Sequence, residues 1–156
     1  MAKNVLIAFD DSENAMRAVN FAGENFARDA NITLFSILED SQALCEMNSP
    51  ELTPYFKSEQ QAFCSLEDKK RELIESAIEA ARRSLIDCGF EPDQVKTKTK
   101  KRTGSVAKDI IAEADSGYDT VVIGRRGVSA LQDFLFGSVS HKVLNGVKNA
   151  AVVTVP

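Results

Sequence analysis

Thr120-Val121-Val122-Ile123-Gly124-Arg125-Arg126-Gly127, with Gly137-Ser138 following nine residues further on, is the stretch whose reading decides the fold. Its first four residues are apolar or β-branched without alternation, as in a parallel strand covered on both faces. The glycine pair then stands at the carboxyl end of that strand, where open α/β sheets receive their ligands. Glycine there admits positive φ and, lacking a β-carbon, lets main-chain N–H groups come close to an anion. Gly137-Ser138-Val139-Ser140 opens a helical pattern, so its unpaired first-turn N–H groups and the positive end of the helix dipole face the same region. Strand, glycine loop and helix start together read as a phosphate cradle, with Arg125 and Arg126 as candidate clamps.

The remainder of the chain repeats the strand and helix alternation. Val5 to Phe9 is an apolar run ending at Asp10-Asp11-Ser12, and Ala15, Ala18, Val19, Ala22 and Phe26 then fall on one helical face. Ile32 to Leu38 is a second strand. From Leu66 to about Cys88 the spacing of Leu73, Ile74, Ala77, Ile78, Ala81 and Leu85 predicts an amphipathic helix closed by Gly89. Gln94 to Thr103 alternates, Gly104 to Gly117 is helical, and Ala150 to Val155 is a last strand. Five strands alternating with four helices predict an open parallel α/β sheet with helices on both faces, in one domain spanning 1–156. Residues 39–65 break the periodicity with Pro50, Pro54 and scattered acids, and are expected to form a long loop or lid.

Composition narrows the function classes. The chain has 156 residues, 44% hydrophobic and 27% charged, with a net charge of −4; that balance disfavours broad capture of nucleic acid or an anionic membrane. No apolar run approaches the roughly 20 residues of a membrane span, and the run after Lys3 is too short for a signal-peptide core, so a cytoplasmic protein is expected. Cys45, Cys64 and Cys88 lack metal-type spacing and are expected to be reduced thiols. Walker A and an early GxGxxG are both absent. His141 falls in a predicted helix with no nucleophile or carboxylate at a recognisable spacing, and Phe134, Leu135 and Phe136 read as packing residues. Asp10 has two readings: a carboxylate that meets a nucleoside or a hydrated Mg²⁺, or a cap for the first helix, which Asp11 or Ser12 fills equally well.

Residues Asp10-Asp11-Ser12-Glu13, the Gly104 helix start, the G-x2-G-x9-G-[S/T] pattern at Gly124, Gly127, Gly137 and Ser138, and the final Val152-Val153-Thr154-Val155-Pro156 resemble the universal stress protein family, in its ATP-binding branch. The resemblance implies a Rossmann-like sheet of order 3-2-1-4-5 with ATP, accompanied by Mg, across the first and fourth strands. It implies that Asp10 contacts the nucleoside and that the Ile37 backbone reads the adenine edge. Ile123, Gly124, Arg125, Arg126 and Gly127 would wrap ribose and phosphates, and Gly137, Ser138, Val139 and Ser140 would hold the phosphate tail. Two positions depart from the family pattern: Asp11 where many relatives have Gly, adding negative charge near the phosphates, and Ser36 where a histidine is frequent. The resemblance further implies a homodimer through Ala150 to Val155. The opposite edge, Val95 to Arg102, carries Lys96, Lys98, Lys100 and Arg102 on one face, a common guard against edge-to-edge aggregation. The expected function is a nucleotide-dependent sensor or regulator with little or no catalysis; a slow ATPase and a nucleotide-independent interaction module are the alternatives.

Overall fold

A computed structural model describes residues 2–47, 53–125 and 138–156. In chain order the elements are β1 (Asn4–Ala8), α1 (Glu13–Asn25), β2 (Asn31–Leu38), α2 (Gln42–Cys45), α3 (Pro54–Asp87), β3 (Val95–Lys101), α4 (Val106–Ala114), β4 (Thr120–Gly124), α5 (Ser138–Gly146) and β5 (Ala151–Val155). All strand pairs are parallel and the sheet order is β3-β2-β1-β4-β5. The expected α/β fold and its strand order are therefore both present.

Side-chain alternation along the strands divides the core into two layers. Val5, Ile7, Ile32, Leu34 and Val122 face α1 and α3, where Ala18, Val19, Ile78, Ala81 and Leu85 meet them. Leu6, Phe35, Val121 and Ile123 face α4 and α5, against Ala107, Ile110 and Val143. Val5, Leu6 and Ile7 are fully buried, which is why β1 reads as a continuous apolar run: a central parallel strand has no solvent face. Each such side chain contributes about 1.5–3 kcal/mol of burial.

Two expectations are corrected here. Residues 39–65 are not one loop: α2 occupies 42–45, and α3 begins at Pro54, twelve residues before the expected start at Leu66. Pro54 is a helix starter rather than a breaker, because its locked φ suits the first helical turn and its missing N–H is one of the groups left free there. Thr53 caps the helix, its Oγ1 accepting from the Phe56 N–H at 3.2 Å. Cys45 and Cys64 are not free thiols but a disulfide, with α-carbons 5.9 Å apart, that straps α2 to α3; Cys88 remains free. Nothing in the spacing of an odd number of cysteines marks this pair, since only the folding of α2 onto α3 brings them together.

The edge lysines of β3 do more than guard an edge. Lys98 Nζ donates to Glu113 at 2.8 Å and Lys100 Nζ to Asp109 at 3.3 Å, both on α4. The hydrogen bond to Glu113 pushes the Lys98 ammonium above its usual range. Asp109 is buried and holds the β3–α4 connection: it accepts from Thr103 Oγ1 at 2.6 Å and from the Thr103 N–H at 3.0 Å. Ser105, rather than Gly104, caps α4 by accepting from the Lys108 N–H.

Candidate functional site

In this order β1 lies between β2 and β4, so the chain winds outward in both directions from β1 and a crevice opens at the carboxyl ends of β1 and β4. β1 pairs with β4 from Val5↔Thr120 to Ile7↔Val122. The same offset carried onward sets Asp10 level with Arg125. Two helix starts also meet β4 there. Gly124 lies against the first turn of α1: a β-carbon on it would stand 2.6 Å from the Asn14 carbonyl oxygen. The first turn of α5 reaches Arg125, whose carbonyl accepts the Ser140 hydroxyl at 2.8 Å. The N-terminal ends of two helices, and the positive ends of their dipoles, thus converge on Gly124 and Arg125.

The site residues expected from sequence distribute as follows. Asp10, Ile123, Gly124, Arg125, Ser138, Val139 and Ser140 are all at this end of the sheet, and Ile37 is near the end of β2, half-buried and packed on the α4 and α5 layer. Arg126, Gly127 and Gly137 lie outside the described residues. Ile123 is 5% exposed, a floor for the crevice rather than a polar contact. Ser138 is exposed in the first turn of α5 and Val139 half-buried, whereas Ser140 is buried with its hydroxyl turned to Arg125. The Arg125 N–H in turn donates to the Val155 carbonyl at 2.8 Å, so the main chain of Arg125 is fixed while its side chain is half-buried at the crevice.

Two details revise the chemical reasons given for the motif. Gly124 does not use positive φ; among the described residues the glycines that do are Gly89 and Gly117. Gly124 is glycine because α1 packs directly on its α-carbon. At the other side of the crevice, the left-handed residue is Asp11, at φ 54°. Asp10 accepts from the Ser12 N–H at 3.1 Å to close this turn, and Ser12 is the true α1 cap, accepting from the Ala15 N–H at 3.1 Å. The cap reading therefore goes to Ser12, which leaves Asp10 exposed at the rim with one oxygen in the turn. Partial burial pushes the Asp11 carboxyl up from its ordinary value, and adjacent Asp10 pushes it the same way.

Sequence reasoning missed Asn14, which carries no mark beyond being a polar helix residue. It also missed the use of Ser36, a buried hydroxyl that donates to the Phe9 carbonyl at 2.7 Å and ties the end of β1 to β2. Its trace in the sequence is a polar residue inside an otherwise apolar strand. His141 is exposed on α5, with a ring nitrogen 3.2 Å from Asn145 Nδ2. A separate open cavity of about 560 Å³ lies at the amino ends of the strands, between β3 and the end of α4, far from the crevice. On its wall, Glu113 takes both Lys98 and the Tyr118 hydroxyl.

The universal stress protein family model matches residues 1–155. The chain belongs to the universal stress protein family. A universal stress protein of Mycolicibacterium smegmatis is 31% identical over 150 residues, covering 96% of this chain and 47% of that protein, so the chain spans about half the length of that relative. The universal stress protein YxiE of Bacillus subtilis is 27% identical, with 92% of each chain covered. Among solved structures, UspA from Lactobacillus plantarum superposes with a TM-score of 0.69 at 20% identity, over 99% of this chain and 97% of that one. A universal stress protein in complex with cAMP superposes at 0.66 and 20% identity, over 99% and 97%. These likenesses carry the universal stress protein fold across the whole chain. No described helix is long and apolar enough to cross a membrane.

Proposed function

We propose that this universal stress protein binds ATP in the crevice between β1 and β4 and acts as a nucleotide-dependent sensor with little or no turnover. The observation that carries the reading is the convergence of the α1 and α5 starts on Gly124 and Arg125, next to the Gly124, Gly127, Gly137 and Ser138 spacing. Charge-assisted hydrogen bonds contribute about 1.5–3 kcal/mol each, and micromolar affinity needs about 8 kcal/mol net. A few main-chain donors with Arg125 and Arg126 are sufficient for a triphosphate.

Asp10 and Asp11 give the same crevice an acidic rim. Mg²⁺ is held by one or two carboxylates together with phosphate oxygens, and these two residues fit that demand once the nucleotide supplies the rest. Among the described residues no group of three or more His, Cys, Asp or Glu side chains stands ready to bind a metal alone. The ion would therefore enter with the nucleotide, neutralising charge that Asp11 otherwise sets against the phosphates.

Among the described residues β5 pairs with β4 alone, so its outer edge offers main-chain groups to a further strand. We assign the homodimer implied by the family to that edge.

Calorimetric titration of ATP, with and without Mg²⁺, into nucleotide-stripped protein tests the proposal. Saturation near one site per chain at micromolar concentration is expected, and Gly127→Val should abolish it with the circular dichroism spectrum unchanged. No heat up to millimolar ATP overturns it. The structural neighbour in complex with cAMP supports a second ligand class, and titration of cAMP in parallel decides between a triphosphate and a cyclic monophosphate. Hydrolysis above about 1 s⁻¹, the low end of usual enzyme rates, would replace the sensor with an ATPase.

A further inference from the structure

The first two thirds of α3 contribute nothing to the buried core: its fully buried residues, Ile78, Ala81 and Leu85, all lie in its last turns. Ahead of them the helix exposes Phe56 (40%), Phe63 (42%), Leu66 (59%) and Leu73 (62%). These four are spaced seven, three and seven residues apart, the a and d positions of a heptad seam, and at about 100° per residue they share an arc of about 100°. The Cys45–Cys64 strap and Gln60, which donates to the Met47 carbonyl at 3.0 Å, fall on the flank away from that arc. The seam is therefore open on the exposed side of α3.

We propose that this seam docks a second copy of the same chain, the two α3 helices packing antiparallel about a two-fold axis between Cys64 and Ser65. A two-fold contact requires a surface complementary to itself, with residue i on j and j on i. Read antiparallel about that midpoint, Phe56 meets the other copy's Leu73 and Phe63 meets its Leu66. The two seam positions that remain, Glu59 and Lys70, meet each other with opposite charge. Every a position thus faces a d position of matching character.

No other simple register has this property. Parallel packing sets Glu59 against Glu59 and Lys70 against Lys70, like charges inside the seam. Sliding the antiparallel pair by one heptad sets Phe63 against Glu59, or Leu66 against Lys70. Lys70 is exposed on its own chain and loosely paired to Glu67 at 3.3 Å, so it is free to reach Glu59 of the other copy. Because α3 is already folded and strapped, association does not have to order it. The seam is short, so a contact in the transient size class is expected, weak and reversible.

Sedimentation velocity on the full chain across micromolar to several hundred micromolar concentrations tests this. Reversible self-association is expected, with Phe63→Glu weakening it by about tenfold or more. Glu59→Lys and Lys70→Glu should each weaken it, and the double exchange should restore affinity close to that of the wild type. Restoration is the decisive outcome, since a folding defect in either single variant would not be repaired by the other. A β5 dimer is indifferent to all four variants, so the α3 contact is read as association beyond it; self-association unchanged in every variant, no concentration-dependent association of the wild type beyond the β5 dimer, or a double exchange no better than the singles would each overturn the proposal.

Discussion

Asn14 closes over Gly124: a β-carbon on Gly124 would stand 2.6 Å from the Asn14 carbonyl oxygen and 2.9 Å from the Asn14 β-carbon. The neighbour is helix backbone and cannot swing aside, so even a methyl group must push α1 off the end of β4. Gly124→Ala is therefore expected to destabilise the fold by about 1–3 kcal/mol, the usual cost of overpacking. The shift of the urea midpoint checks it. Loss of nucleotide binding without loss of stability would contradict the contact.

Asp11 sits at φ 54°, a backbone shape that glycine adopts without steric cost. Asp11→Gly should raise stability, by no more than the roughly 1–2 kcal/mol that left-handed geometry costs other residues. It also removes a carboxylate from the crevice, so ATP affinity should rise and its dependence on Mg²⁺ should fall. Asp11→Ala removes the charge but keeps the strain. Thermal unfolding and calorimetry on the two variants separate the effects.

Ser140 carries the Arg125 carbonyl on its hydroxyl. Ser140→Ala leaves that partly buried acceptor without this donor, at a cost of about 1 kcal/mol, and loosens the start of α5 from the end of β4. A stability loss with a moderate drop in ATP affinity is expected. Unchanged stability would return Ser140 to a purely ligand-facing role.

Asp109 is held down to about 2 by the Thr103 hydroxyl first, then by the Thr103 N–H and Lys100. Its ordinary value in an unfolded chain is about 3.9. A carboxyl with a depressed folded pKa binds its proton more readily when unfolded, so its contribution is complete above about pH 4 and is lost as pH falls toward 2. Comparing wild type with Asp109→Asn, the stability gap should be constant at neutral pH and should shrink between about pH 4 and 2. A gap independent of pH through that window would remove Asp109 from the β3–α4 clasp.

The Cys45–Cys64 bond joins positions 19 residues apart, a span for which chain entropy predicts about 3 kcal/mol. Cys64→Ser, or reduction of the wild type, should raise amide exchange in α2 and the first half of α3 and leave β1 and β4 protected. Cys88→Ser should leave exchange unchanged in all of these elements. Identical exchange with and without reductant would deny the strap any role.

Much of this molecule follows from local pattern. Val5 to Phe9 and Thr120 to Ile123 had to be central parallel strands, because an unbroken apolar run has no use for a solvent face. Spacing likewise set the helical faces of α1 and the end of α3, and the glycine pattern marked the end of β4. What the sequence alone could not decide was long-range. Whether Pro54 ends a loop or begins a helix depends on the capping by Thr53 and on the strap from Cys45. Gly124 owes its identity to a helix more than a hundred residues earlier in the chain, and Ser140 and Ser36 act through carbonyls just past the ends of β4 and β1. Periodicity records how each residue meets solvent; the partner it meets instead is chosen only when the sheet closes and distant main-chain groups must be satisfied.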